Sequence, residues 1–193
     1  MLTWALYILA TRHDIQDTLC AEITILAAEH PDPTFLQIDS LVYLENFIKE
    51  TMRVYAPATV TYLRAEAYMT IDGVFIPKDT VIDMIIDMIP SGEDADDVDP
   101  TRWDRLEGDQ SSPYAYNVFS NGPRVCIGKT LALVEIKIIL FEIVQTYRCV
   151  KVARDFTVEN PSLSLRPVGM EVHLAKIGSI RLLGARVWTP KEL

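Results

Sequence analysis

The sequence predicts an α+β chain, mainly helical, and three observations carry that prediction. Apolar residues recur at helical spacing through most of the first 55 positions. Short alternating or β-branched runs then gather around an Asp72-Gly73 pair, and a long helical pattern over 129–147 follows a glycine-containing loop. Helices, then mixed strands, then a loop and a helix suit an α+β chain, whereas a doubly wound sheet would alternate the two. A chain of 193 residues is long enough for one ordinary domain with a sizeable core.

Taken in order, Leu6, Leu9, Ile15, Leu19, Ile23 and Leu26 form a helical stripe across 2–28, with a break expected at Arg12-His13-Asp14. Pro31 and Pro33 end that segment. Leu41, Leu44, Phe47, Ile48 and Met52 line one face of a helix over 40–55, which Pro57 stops. Strands are expected over 59–64, 68–71, 74–76 and 81–84, the middle two joined by the Asp72-Gly73 hairpin turn. Residues 91–116 read as a long ordered meander, polar and punctuated by proline. Lys129 to Tyr147 reads as a strongly amphipathic helix, and strand-like pieces close the pattern at 150–158, 163–165 and 170–174.

Charge and cysteine usage narrow the function. Lys and Arg total 18 against 27 Asp and Glu, a formal charge of -9, which argues against nucleic acid as a main partner. Glu93 to Asp99 places five carboxylates in seven positions and reads as a solvated loop. Cys20, Cys126 and Cys149 lie far apart with no CxxC pair, so neither a disulfide partner nor a structural zinc site is expected. Met1 to Ala10 is apolar, yet far shorter than the ~20 residues of a transmembrane helix and without a basic leader. No membrane anchor or secretion signal is evident.

One segment concentrates chemistry: Phe119-Ser120-Asn121-Gly122-Pro123-Arg124-Val125-Cys126-Ile127-Gly128. Cys126 lies in a loop directly before a long helix, whose positive end and N–H groups favour a thiolate. Gly122 and Gly128 permit a tight turn and the close approach of a flat ligand. Arg124 can pair with a carboxylate on that ligand, and Phe119 offers an aromatic wall. On residue type alone, Cys126 equally suits a buried small apolar residue, the usual state of a lone cysteine.

The segment resembles, at every fixed position, the haem-binding signature FxxGxRxCxG of the cytochrome P450 family. Its five fixed residues would coincide by chance on the order of a few times in 10⁵ chains of this length. The resemblance implies that Cys126 is the thiolate ligand of iron in haem b (iron protoporphyrin IX), with Phe119, Arg124 and Gly128 around it. Glu50-Thr51-Met52-Arg53 resembles the family's ExxR helix motif, its two charges sharing one helix face. Pro100-Thr101-Arg102-Trp103 resembles the PERW element, with Thr101 where Glu is commoner, so that Arg102 would complete a structural Glu50–Arg53–Arg102 cluster. The run from Ala56 to Arg64 is similar to the strand that passes over the haem. Arg64 there is either a propionate partner or an exposed strand arginine. Residues 72–81 resemble a G-x-x-I-P-K-G-T-x-V hairpin, with Asp79 in place of glycine, and 162–170 resemble the last hairpin. Ala58, Val60 and Leu163 suit either substrate contact or core packing, and Cys20 and Cys149 are expected in the core.

The resemblance covers about 2–176, giving a partial domain over 1–177 and an unassigned tail over 178–193. It begins just after the long helix's acid–alcohol pair and threonine, which this sequence does not contain, and it is shorter than usual between Thr80 and Asp94, where the family carries a short helix. It implies a monooxygenase that inserts one atom of dioxygen into a small organic substrate, fed by an NAD(P)H-dependent reductase. Full-length relatives would sit at the endoplasmic reticulum membrane, on its cytosolic face. Two alternatives accompany this: a truncated, non-catalytic fragment, or a haem-thiolate isomerase or dehydratase. The uninterrupted cysteine loop favours the monooxygenase over the peroxide-rearranging branch.

Overall fold

The computed structural model describes residues 1–58, 60–85, 97–112, 114–159 and 164–177. The expectations for Leu163, for the stretch between Thr80 and Asp94 beyond position 85, and for the 178–193 tail lie outside the described residues.

Two helices, α1 (Leu2–Thr11) and α2 (His13–Glu29), replace the single stripe, with the break at Arg12. Arg12 leaves helical geometry at φ -119° and ψ 81°. Its guanidinium holds Asp14 through two bonds at 3.0 and 2.9 Å, reaches Asp97 at 2.7 Å, and donates to the Val98 carbonyl at 3.1 Å. The break therefore ties the helix junction to the approach of the meander. A short helix α3 (Phe35–Asp39) follows, closed by a capping box between Thr34 and Gln37.

The central helix α4 (Val42–Val54) buries Leu44, Phe47, Ile48 and Met52 at 0–1% exposure, the stripe its sequence spells out. Its N-terminus has no cap from its own chain neighbours; Glu22 of α2 supplies one, accepting from the Tyr43 and Leu44 amides at 2.8 and 2.9 Å. The core gathers where α1, α2 and α4 meet α5 (Lys129–Thr146), with Leu9, Leu19, Leu140 and Phe141 fully enclosed. Helix α5 buries Ile136, Leu140, Phe141 and Val144, yet Leu131, Ile138 and Ile139 remain exposed. The expectation of a strongly amphipathic helix thus holds for its buried stripe but not for the opposite face, which keeps apolar side chains.

Among the described residues the strands form four two-stranded antiparallel sheets. Strand β1 (Val60–Arg64) pairs with β4 (Val81–Ile85), and β2 (Met69–Ile71) pairs with β3 (Val74–Ile76) across a turn in which Asp72 and Gly73 take φ 48° and 80°. Strand β5 (Tyr147–Val152) starts directly after α5 and pairs with β8 (Val172–Lys176), with an irregularity between Cys149 and Lys151. The buried Gln16 amide serves that point, receiving the Cys149 N–H at 2.7 Å and donating to its carbonyl at 2.9 Å. Strand β6 (Thr157–Glu159) pairs with β7 (Arg166–Val168). Two strand expectations are corrected. The 150–158 piece is two strands with different partners, and Leu165 is not in a strand: its N–H donates to the Pro57 carbonyl at 3.0 Å instead. Trp4 stacks on Tyr55 at 4.2 Å and donates to the Leu165 carbonyl at 3.3 Å, which docks that segment on α1.

Candidate functional site

The loop between the meander and α5 folds back on itself through backbone bonds. Ser120 and Gly122 adopt left-handed conformations, φ 58° and 65°, which glycine takes without strain and serine only at some cost. The Ser120 amide donates to the Asn117 carbonyl at 2.9 Å, and the Asn121 and Asn117 side chains bond at 2.9 Å. Gly122 to Arg124 form one 3₁₀ turn, closed by the Val125 N–H on the Gly122 carbonyl at 3.1 Å. The Cys126 amide then reaches back to the Phe119 carbonyl at 2.7 Å, while its own carbonyl accepts from Lys129 at 3.2 Å. Both backbone groups of Cys126 are therefore fixed, which sets the direction in which its side chain leaves the loop.

Cys126 is exposed, while Cys149 is 1% exposed within the core. Within this chain the expected burial of a space-filling cysteine is met by Cys149 and not by Cys126. Burial pushes the Cys149 thiol up to about 11. Cys20 is half-buried and its thiol is raised chiefly by burial, so it also sits against the core rather than in a site.

The structure brings Phe119, Arg124, Cys126 and Gly128 into one loop. Arg64 lies on a separate sheet, β1–β4, exposed and 3.9 Å from Asp79. The two glycines do different things. Gly122 supplies a positive φ, whereas Gly128 has φ -87°, which any residue adopts. A methyl group at Gly128 would lie 3.9 Å from the Cys126 sulfur, an ordinary contact, so its absence matters only for something seated on that sulfur. The Phe119 ring is half-buried against the core, with the Lys129 ammonium 5.9 Å from its centroid. Its tie to Cys126 runs through the backbone. Ala58 and Val60 are half-buried, and Ala58 packs against the core.

A second cluster centres on Glu50. Glu50 is fully buried and accepts two bonds from Arg53, both at 2.9 Å, and Arg102 approaches at 3.4 Å. Two further donors escape sequence reasoning: the Asp99 amide at 3.0 Å and the Trp103 indole at 3.1 Å. Arg53 also donates to the Asp97 carbonyl at 3.0 Å. Tyr116 packs edge-on against Trp103 at 4.9 Å, its phenol pushed above the ordinary range by burial first and then by the Glu50 and Glu45 charges. Asn46 donates to Asp104 at 2.8 Å. The tryptophan in the Arg102-Trp103 pair was a usable signal for one donor; the backbone amide had none.

The residues present fit a flat, apolar, iron-bearing group with peripheral carboxylates. The sulfur is open, and the apolar side chains next to it in sequence are uncovered: Val125 44%, Ile127 105% and Leu131 63% exposed. Arg124 is exposed and makes no ion pair among the described residues, so its charge is available to a carboxylate.

The comparisons with known proteins agree. The Cytochrome P450 family model matches residues 1–174. The chain is 33% identical over 155 residues to Cytochrome P450 3A9 of Rattus norvegicus, covering 76% of this chain and 30% of that protein. It is 31% identical over 156 residues to Cytochrome P450 3A7 of Homo sapiens, with the same shares of 76% and 30%. Among solved structures, it superposes on one described as the crystal structure of a Cytochrome P450 (CYP102L1), with a TM-score of 0.73 and 25% identity, covering 90% of this chain and 41% of that one. The chain spans about 30% of the length of the curated relatives it matches. With a family match across nearly all of its length and a shared fold, the chain belongs to the cytochrome P450 family, whose cofactor is haem, and carries part of that fold.

Proposed function

We propose that this chain is the thiolate-bearing part of a haem monooxygenase and that Cys126 is its iron ligand. The observation that carries the reading is the exposed sulfur of Cys126 on a loop pinned at both its amide and its carbonyl. Haem b bound there would supply dioxygen activation, and a thiolate donor favours O–O cleavage.

The chain's own residues have separable roles in this reading. The left-handed turn at Ser120 and Gly122 presents the sulfur outward. The side-chain-free Gly128 leaves room next to it. Arg124 neutralises a propionate, and Arg64 is the candidate for a second propionate once it leaves Asp79. Phe119 braces the loop from the core side. The Glu50 cluster holds α4 against the meander and does not touch the reacting atoms.

Dioxygen chemistry implies a small organic substrate and electrons from an NAD(P)H-dependent reductase. For full-length relatives, the cytosolic face of the endoplasmic reticulum membrane is the proposed location. No helix among the described residues is long and apolar enough to cross a membrane. A second reading, a chain that binds haem weakly and does not turn over, is favoured by the apolar surface left open on α5 and around Cys126.

Reduced, carbon-monoxide-treated chain titrated with hemin is the test. A red-shifted Soret band that disappears in Cys126→Ala supports the ligand assignment, and a band retained in that variant sinks it. NADPH-supported turnover through a reductase separates the first reading from the second.

A further inference from the structure

On the core side of the cysteine loop, a cavity of about 400 Å³ opens between α3, α4 and the first turns of α5. That lies within the range of about 300–1,000 Å³ typical of small-molecule sites. Phe35, Ile48, Phe119 and Leu133 give it apolar walls.

Its charges do not cancel. Three ammonium groups (Lys49, Lys129, Lys137) face two carboxylates (Asp39, Glu45). Lys137 is buried and takes Asp39 at 2.7 Å and Glu45 at 3.3 Å, while Lys49 takes Glu45 at 2.6 Å. Lys129 makes no ion pair among the described residues, and its ammonium rests 5.9 Å from the Phe119 ring centroid. One positive charge therefore stands unmatched beside an apolar cavity of ligand size.

We propose that this cavity binds a small monocarboxylate with an aromatic or aliphatic body. The body lies among Phe35, Ile48, Phe119 and Leu133; the carboxylate meets Lys129, with the Thr130 hydroxyl as a second donor. The two carboxylates already present set the limit on charge. A cation would meet Lys129, and a second anionic group would meet Asp39 or Glu45. The site is also coupled to the loop, because Phe119 is at once a wall of the cavity and the residue whose carbonyl holds the Cys126 amide at 2.7 Å.

The test uses the full chain, labelled with nitrogen-15 and free of haem, titrated with 2-naphthoate and separately with naphthalene-2-methanol. Amide resonances of Cys126, Thr130 and Leu133 are expected to shift saturably with naphthoate. The neutral alcohol is expected to bind about fivefold more weakly, the most an exposed ion pair normally contributes. Lys129→Gln, a surface change, should bring naphthoate down to the affinity of the alcohol. Leu133→Trp should fill the cavity and abolish both. Equal affinity of Lys129→Gln and the unaltered chain for naphthoate overturns the proposal. So does the absence of saturable shifts, or shifts confined to the amides of β1 and β4. Because no haem is present, failure here leaves the Cys126 assignment untouched, and failure of that assignment leaves this readout intact.

Discussion

Replacing Glu50 by alanine removes the acceptor at the centre of a polar cluster closed to solvent. Its carboxylate receives both Arg53 bonds at 2.9 Å, the Asp99 amide at 3.0 Å, the Trp103 indole at 3.1 Å and Arg102 at 3.4 Å. The Arg53 side chain is 4% exposed, so water cannot replace the lost partner without opening the helix–meander contact. Breaking a buried pair from one side costs about 3–5 kcal/mol, because a buried charge is left uncompensated. The orphaned Asp99 amide and Trp103 indole act in the same direction, which places Glu50→Ala at the upper end of that range. Urea unfolding followed by far-ultraviolet circular dichroism measures the loss. The double variant Glu50→Leu/Arg53→Met, which removes both charges and keeps volume, should be less destabilised than the single one. A single-variant loss below about 1 kcal/mol, or a double variant that loses as much as the single, would show that the cluster is not held by charge satisfaction.

Three further outcomes are expected. Thr34→Ala should cost about 1 kcal/mol in the same unfolding assay, since it removes the side-chain half of the capping box, in which the Thr34 hydroxyl accepts from the Gln37 amide and donates to the Gln37 side chain at 2.9 Å; no measurable change would count against that box. Asp99 is held below its ordinary range: burial acts to raise it but is outweighed by the Thr101 bonds and the Arg105 charge. Its contribution is therefore present above the unfolded value of about 3.9 and is lost as pH falls through the lower folded value. Asp99→Asn should accordingly lose less stability than the unaltered chain on acidification below about pH 4; parallel losses would refute this. Iodoacetamide in native buffer should label exposed Cys126 first, half-buried Cys20 more slowly, and buried Cys149 only on unfolding, as read by mass spectrometry. Labelling of Cys149 as fast as Cys126 would contradict the assigned burial.

What the sequence made legible divides by the range of the interaction. Helix α4 came out within two residues at each end because its stripe and the proline after it are local facts. The break at Arg12 was also legible, since three polar residues interrupt an apolar period, but its purpose was not: Asp97 and Val98 lie more than 80 positions away. Helix α3 carried a readable signal, a threonine followed three residues later by glutamine, yet five residues are too few for periodicity to register. The closing strands went wrong for a different reason. A piece such as 150–158 looks continuous along the chain, while its division is decided by separate partners, β8 for one part and β7 for the other.

The site shows the same division, and it sharpens what Cys126 is. Residue type left two readings of that cysteine open, and the signature chose between them by resemblance alone. The structure adds a contrast between the cysteines: the chain encloses Cys149 within its core and leaves Cys126 open on a loop fixed by two backbone bonds. A thiol that was merely filling space would gain from being covered, as Cys149 is. Holding a sulfur outward, next to uncovered Val125, Ile127 and Leu131, exposes apolar area at roughly 25 cal/mol per Å² with nothing in these residues to offset it. That area calls for a cover, either a bound group or the part of the fold that this chain, at about 30% of its relatives' length, does not span, and the proposed haem is a cover that would also meet the sulfur and Arg124.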